Sequence, residues 1–158
     1  MKRIHLLRTS AAPEEFAGLF AAIRSLGLRV GWLDLIGPQT IGAEDVEPAE
    51  APPALEAAAA AGVLRAVRVA PGRVATVKPV AGPPEIDNLL REHFVGCSLV
   101  LVRGAVDAPE IAPAEGGWEI SDGDRRKTRA AAALAAELRR PRFPFGPSTL
   151  RQAEEPEP

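Results

Sequence analysis

Two histidines, one cysteine and a few charged residues that follow apolar runs are the groups in this chain that could do chemistry. His5 and His93 stand in different segments and Cys97 is the lone thiol, so no ligand set has metal-binding spacing. Both histidines read as partly buried or surface groups. Cys97, with His93 four residues earlier, is the one thiol–imidazole pair, but "FVGCSLVLV" is the setting of a core thiol, and catalysis needs an exposed, activated thiolate. Arg8, Asp34, Arg103 and Asp107 carry more weight, because they lie near the ends of strand-like runs, where open α/β sheets gather ligands. With Thr9 and Ser10 they outline a candidate anion or ligand cleft. Arg103 and Arg8 could hold an anion, or Arg103 could be spent on a salt bridge to Asp34 or Asp107. A fourth feature, "RRKTR" at Arg125–Arg129, reads either as a contact for an anion or acidic partner or as a solvated helix face.

These groups need elements to hold them. "RIHLLR" reads as a first strand, and Phe16, Leu19, Phe20, Ile23 and Leu26 then recur at helical spacing. Pro13 suits the first turn of that helix and Gly27 its end, while Thr9 and Ser10 are candidate caps. "LRVGWLDLIG" reads as a second strand. A strand–helix–strand unit needs a crossover, which favours parallel pairing. "PQTIGAEDVEPAEAPP" is an acidic, proline-rich loop and "ALEAAAAAG" a short helix. "VLRAVRVA" and "RVATVKPV" flank a Pro-Gly turn and predict an antiparallel hairpin inside a mostly parallel sheet. "PPEIDNLLREHFVG" predicts a helix opened by Pro84, and the almost wholly apolar "CSLVLVRG" a central strand covered on both faces. "APEIAPAEGGWEIS" is irregular, with a short strand at each end. "DRRKTRAAAALAAELRR" predicts a third long helix with the cations in its first turn, where Asp122 and Asp124 offset their cost against the dipole.

The chain of 158 residues is long enough for one domain with a real core. It is 46% apolar and 25% charged, close to an ordinary globular protein, with a net charge of −2 that gives no global pull toward nucleic acid or membrane. No run is long enough to span a bilayer and the N-terminus lacks a signal-peptide core, so a cytoplasmic protein is expected. The domain is placed at residues 1–140, followed by a proline-rich, acidic tail at 141–158. Phe143 and Phe145 in that tail could dock on another protein or wrap back over the chain's own core.

Taken together, "APGRVATV", "EIDNLL", "LVLVRG" and "APEIA", in that order behind "LFAAIRSLGLRVGWL", resemble the molybdopterin-guanine dinucleotide biosynthesis protein B family, MobB. The likeness covers about residues 3–112 and rests on order and spacing rather than on any one motif. It implies a three-layer P-loop-NTPase-like α/β domain: a mostly parallel sheet, an inserted β-hairpin and flanking helices. The family's phosphate loop is G-x-x-x-x-G-K-[ST]. In register, Leu7 stands for its first glycine, Ala12 for the second, Pro13 for the lysine and Glu14 for the hydroxyl residue that meets Mg²⁺.

Every signature position of that loop is therefore replaced, and Glu14 and Glu15 put negative charge where a phosphate would sit. The family's glutamate after the central strand is Arg103 here, and its basic and histidine positions after the second strand are Asp34 and Leu35. The resemblance thus implies a degenerate member, a pseudoenzyme in which GTP hydrolysis is not expected, with no resident cofactor and a molybdopterin-type group as a conceivable ligand. It would be an accessory or adaptor protein in the biosynthesis or insertion of the molybdenum cofactor, with a protein partner from that pathway and a homodimer open. Two other readings remain: a repurposed ligand-binding or enzymatic domain with an anion site near Arg103, and a structural interaction module unrelated to molybdenum.

Overall fold

The computed structural model describes residues 3–35, 53–78, 80, 82, 85–140, 143–146 and 149–152. Strand β1 (Arg3–Thr9) leads through a 3₁₀ turn (Pro13–Phe16) into helix α1 (Ala17–Ser25) and strand β2 (Val30–Asp34). Helix α2 (Pro53–Ala60) and strands β3 (Ala66–Ala70) and β4 (Arg73–Val77) follow. Then come helix α3 (Ile86–His93), strand β5 (Leu99–Arg103), strands β6 (Glu110–Ala114), β7 (Gly117–Asp122) and β8 (Arg125–Arg129), helix α4 (Ala131–Glu137) and strand β9 (Leu150–Gln152). The chain divides into two compact units, residues 36–85 and the remainder.

The larger unit is built on one sheet in the order β2-β5-β1-β6-β7-β8. Strands β2, β5, β1 and β6 run parallel, and β7 and β8 extend the sheet antiparallel. β5 lies between β2 and β1 with Leu99–Val102 wholly buried, which is why its sequence does not alternate. The outer edge of β1 is shared. Near its end Arg8 pairs with Glu110 of β6, whereas Arg3, Ile4 and His5 at its start pair antiparallel with β9.

Each face of this sheet has its own core. On one, Leu7, Leu99, Leu101, Ile111 and Ile120 meet Phe16, Leu19 and Ile23 of the first helical segment and Leu134 and Ala135 of α4. On the other, Ile4, Leu6, Val100 and Val102 meet Leu90 of α3, with Phe94 and Ile86 packed beside them. The sheet is thus covered on two sides by helices drawn from the 3.6-residue patterns in the sequence. The α/β class and an antiparallel β3–β4 hairpin turning at Pro71-Gly72 are as expected, but the hairpin forms a two-stranded sheet of its own rather than lying inside the mostly parallel one. The acidic segment at 38–52 and Pro84 lie outside the described residues.

The expected third long helix is corrected. Residues Arg125–Arg129 form β8, and only Ala131–Glu137 are helical. The cause is the turn before it: Asp122 pairs with Arg125 across Gly123-Asp124, and Gly123 has φ +59°. A glycine at the first central position of a two-residue loop is a hairpin signal that outweighs the helical composition after it. The cations are also not one solvated helix face. Lys127 points inward, its ammonium 2.6 Å from Glu137 Oε1 and 2.8 Å from the Phe143 carbonyl. Arg129 reaches the same Glu137 oxygen at 3.3 Å, and Arg125 stacks over the Phe143 ring at 4.3 Å. The segment "APEIAPAEGGWEIS" is likewise more regular than its composition suggests, forming the β6–β7 hairpin.

The described part of the proline-rich tail returns to the core. Phe145 is fully buried in the cluster around Leu7 and Phe16, and Thr149 is fully buried too. Phe145 lies 5.2 Å from the His5 ring, and His5 Nδ1 is 2.8 Å from Thr149 Oγ1. Burial pushes the His5 pKa below its usual value. The folded protein then binds fewer protons at His5 than the unfolded chain does, so this contribution to stability is intact above the unfolded pKa. It is lost as pH falls through that value toward the lowered one. The urea midpoint is expected to drop between pH 7.5 and pH 5.5, and the drop should be smaller in His5→Gln.

Candidate functional site

The parallel strands β1, β5 and β2 end together, and their last paired residues are Thr9, Arg103 and Asp34. Side chains alternate along a strand, so these three leave the sheet on one face, the face covered by α1. Arg8 is one residue out of step and leaves on the other. There it lies 3.6 Å from Glu110, both about half exposed. Arg8 and Arg103 are therefore not brought to one anion.

Arg103 is committed instead to Asp34, with Nε donating to Oδ1 at 2.7 Å and each side chain about a quarter exposed. Its guanidinium also sits 5.8 Å from the centre of the Trp32 ring. Of the two roles foreseen for Arg103, the salt bridge is the one it performs here. Asp107 lies in the segment between β5 and β6 and has interactions of its own. Ser10 is exposed at the end of β1.

Removing one partner of the Arg103–Asp34 pair leaves a charge in a site three-quarters withdrawn from water. Asp34→Ala is expected to cost about 1–2 kcal/mol, between the values for exposed and fully buried pairs. In urea unfolding, the double variant Asp34→Ala/Arg103→Leu should lose less than the sum of the single losses. Additivity would mean that the two side chains do not interact.

The turn after β1 is closed by hydrogen bonds of its own. Thr9 Oγ1 accepts the N–H of Ala11 at 3.0 Å. The carboxylate of Glu15 accepts the N–H of Ala12 at 3.0 Å, and Glu15 N–H returns to the Ala12 carbonyl at 3.1 Å. Pro13 has no N–H to offer. Two amides that a phosphate loop would aim at its ligand are thus spent on the chain's own side chains, one of them an anion. The sequence pointed to Thr9 or Ser10 as the cap of the helix; in the structure Ala12 occupies the cap position and Glu15 reaches back to its amide. These residues do not fit GTP–Mg²⁺: no glycine permits close approach and no lysine neutralises charge.

Behind the turn lies an aromatic cluster that sequence reasoning did not single out. Phe16 is fully buried and stacks at 6.4 Å on Trp118 of β7. It also lies 6.0 Å from Trp32 of β2 and 6.1 Å from Phe20. The only available signal was the spacing of Phe16 and Phe20 on one helix face; the tryptophans come from strands nearly ninety residues apart.

Cys97 and His93 lie before the start of β5, away from its end at Arg103. Cys97 is half-buried, and burial raises its pKa against the weaker opposing pull of Arg29, so the thiol form is favoured. His93 is partly exposed beside Glu92 and edge-on to Phe94. Among the described residues, no three His, Cys, Asp or Glu side chains gather as a metal site would require, and no helix is long and apolar enough to cross a membrane. No protein-family model matches the chain, and no curated protein matches it either.

Proposed function

We propose that this chain is a MobB-like accessory or adaptor protein of molybdenum-cofactor maturation, working in the cytoplasm on a P-loop-type frame that has given up nucleotide chemistry. One observation carries the second half of this reading. In the turn after β1, the amides of Ala11 and Ala12 are already satisfied by Thr9 and Glu15, so the helix start presents a carboxylate where a phosphate would bind. The first half draws support from the family-like order of segments, together with β1 and β5 lying side by side in a parallel frame. The partner class is a nucleotidyltransferase, a cofactor-loaded carrier or a molybdoenzyme, and the chain's role is to bind rather than to catalyse. An anion-binding cleft at Arg103 is the weaker reading, because Asp34 already neutralises that guanidinium.

Calorimetric titration with GTP and Mg²⁺ tests the nucleotide part. No heat of binding is expected at micromolar protein, and micromolar affinity would overturn it. Titration of the purified protein against a nucleotidyltransferase of the pathway and a molybdoenzyme with its chaperone tests the partner part. Absence of binding to all of them would remove the molybdenum assignment while leaving the nucleotide conclusion standing.

A further inference from the structure

Of the seven large hydrophobic side chains that stand exposed among the described residues, six belong to the smaller unit. Three of these, Val67, Val69 and Val74, lie on one face of the β3–β4 hairpin, since Val69 pairs directly with Val74 and Val67 with Thr76. They are 52%, 76% and 67% exposed. The opposite face carries the buried Ala66 and the half-buried Ala75 and Val77, beside α2 with its buried Leu55. That face also holds Arg68 and Arg73, which are exposed and make no ion pair among the described residues. Both outer edges of this two-stranded sheet are unpaired among the described residues. Charge is segregated as well: residues 63–78 hold four cations, Arg65, Arg68, Arg73 and Lys78, and no acidic residue, in a chain whose net charge is −2.

We propose that the hairpin is a docking edge for an extended, acidic segment of a partner protein, which adds as a strand with apolar side chains on the valine face and carboxylates toward Arg68 and Arg73. Backbone pairing along an open edge supplies affinity, and the period-two alternation of the added strand supplies specificity. The charges choose the occupant. A second copy of this chain would bring the same exposed Arg68 and Arg73 together. A single-stranded nucleic acid would want aromatic platforms, and residues 63–78 contain no Phe, Trp or Tyr. A membrane surface is usually engaged by an amphipathic helix with Trp, Phe or Leu on its apolar face, not by a valine hairpin. This proposal is independent of the molybdenum reading and would survive its failure.

The test uses the full chain and a fluorescent synthetic peptide, about ten residues long to match a strand and alternating valine with glutamate. A valine–lysine peptide of the same length is the control. Anisotropy titration is expected to show saturable binding of the glutamate peptide only. Binding should weaken at least about tenfold in Arg68→Glu/Arg73→Glu, and on raising salt from about 50 to about 300 mM. Val69→Glu should abolish it, while circular dichroism melts of both variants stay close to the parent because these side chains are exposed. Equal binding of the two peptides, or none of the glutamate peptide, overturns the proposal. So does sedimentation showing a dimer that Val69→Glu dissociates, which would make a second copy the occupant. Uptake of the chain by phosphatidylserine vesicles or single-stranded DNA, with the peptide left unbound, overturns it too.

Discussion

Phe16→Ala is expected to destabilise the larger unit by about 3–5 kcal/mol, the range for truncating a buried phenylalanine to alanine. Phe16 is fully buried and touches groups from three separate elements: Phe20 from α1, Trp32 from β2 and Trp118 from β7. The transfer cost of the ring is compounded by the cavity, because strands β2 and β7 belong to one hydrogen-bonded sheet and cannot close in to fill it. Trp32 and Trp118 are the chain's two tryptophans, so intrinsic fluorescence in urea reports on this cluster. Phe16→Leu should cost much less, about 1–2 kcal/mol, since it retains most of the volume. Equal losses from Leu and Ala would mean that the ring stacking, not the volume, holds the turn in place. Phe16 ends the 3₁₀ turn that follows Ala11 and Ala12, and its burial in the core fastens that turn to the sheet.

Gly117→Ala is expected to be at least as damaging, costing about 3 kcal/mol or more through backbone overlap. Gly117 opens β7 with φ +154°, and a Cβ there would collide with the Arg129 carbonyl and crowd the Cα of Ala130. Neither obstacle is a side chain that can rotate away. Arg129 pairs with Trp118 at the end of the β7–β8 ladder, and Ala130 caps α4, so relief requires opening that ladder or shifting the helix. Gly116→Ala is the control. It has a left-handed φ of +78° with nothing near the would-be Cβ, and should cost only about 1–2 kcal/mol. Comparison of the two urea midpoints separates steric exclusion from backbone preference. Similar midpoints would show that β8 can move away from β7 at little cost.

Much of the scaffold was legible in the residues. Leu6–Leu7 and the Leu99–Val102 run announce buried strands because only apolar side chains tolerate burial between helices. Phe16, Leu19 and Ile23 announce a helix because their spacing matches 3.6 residues per turn. Pro71-Gly72 announces the β3–β4 turn because proline presets one of its dihedrals and glycine accepts the other. The composition of the turn after β1 was legible as well: it holds no glycine or lysine and carries Pro13, Glu14 and Glu15.

What the sequence could not show was set by groups distant along the chain. Arg125–Arg129 looks helical by composition. It becomes a strand because the Gly123 turn folds it against β7, and because Lys127 finds Glu137 and the Phe143 carbonyl to satisfy its partly buried ammonium. Phe145 lies in a segment rich in proline, yet a pocket formed beside Leu7 and Phe16 buries it. The separation of Arg8 from Arg103 follows from strand register, which a linear reading does not supply: residue 103 falls opposite residue 9, not residue 8. The sequence by itself determined the α/β class, the buried strands and the lack of glycine and lysine in the turn after β1, because each depends on side-chain type and short-range spacing. Only the tertiary structure decided which charges meet, where the C-terminal segment packs and that Arg103 is spent on Asp34, because those outcomes depend on pairing between residues far apart in the chain.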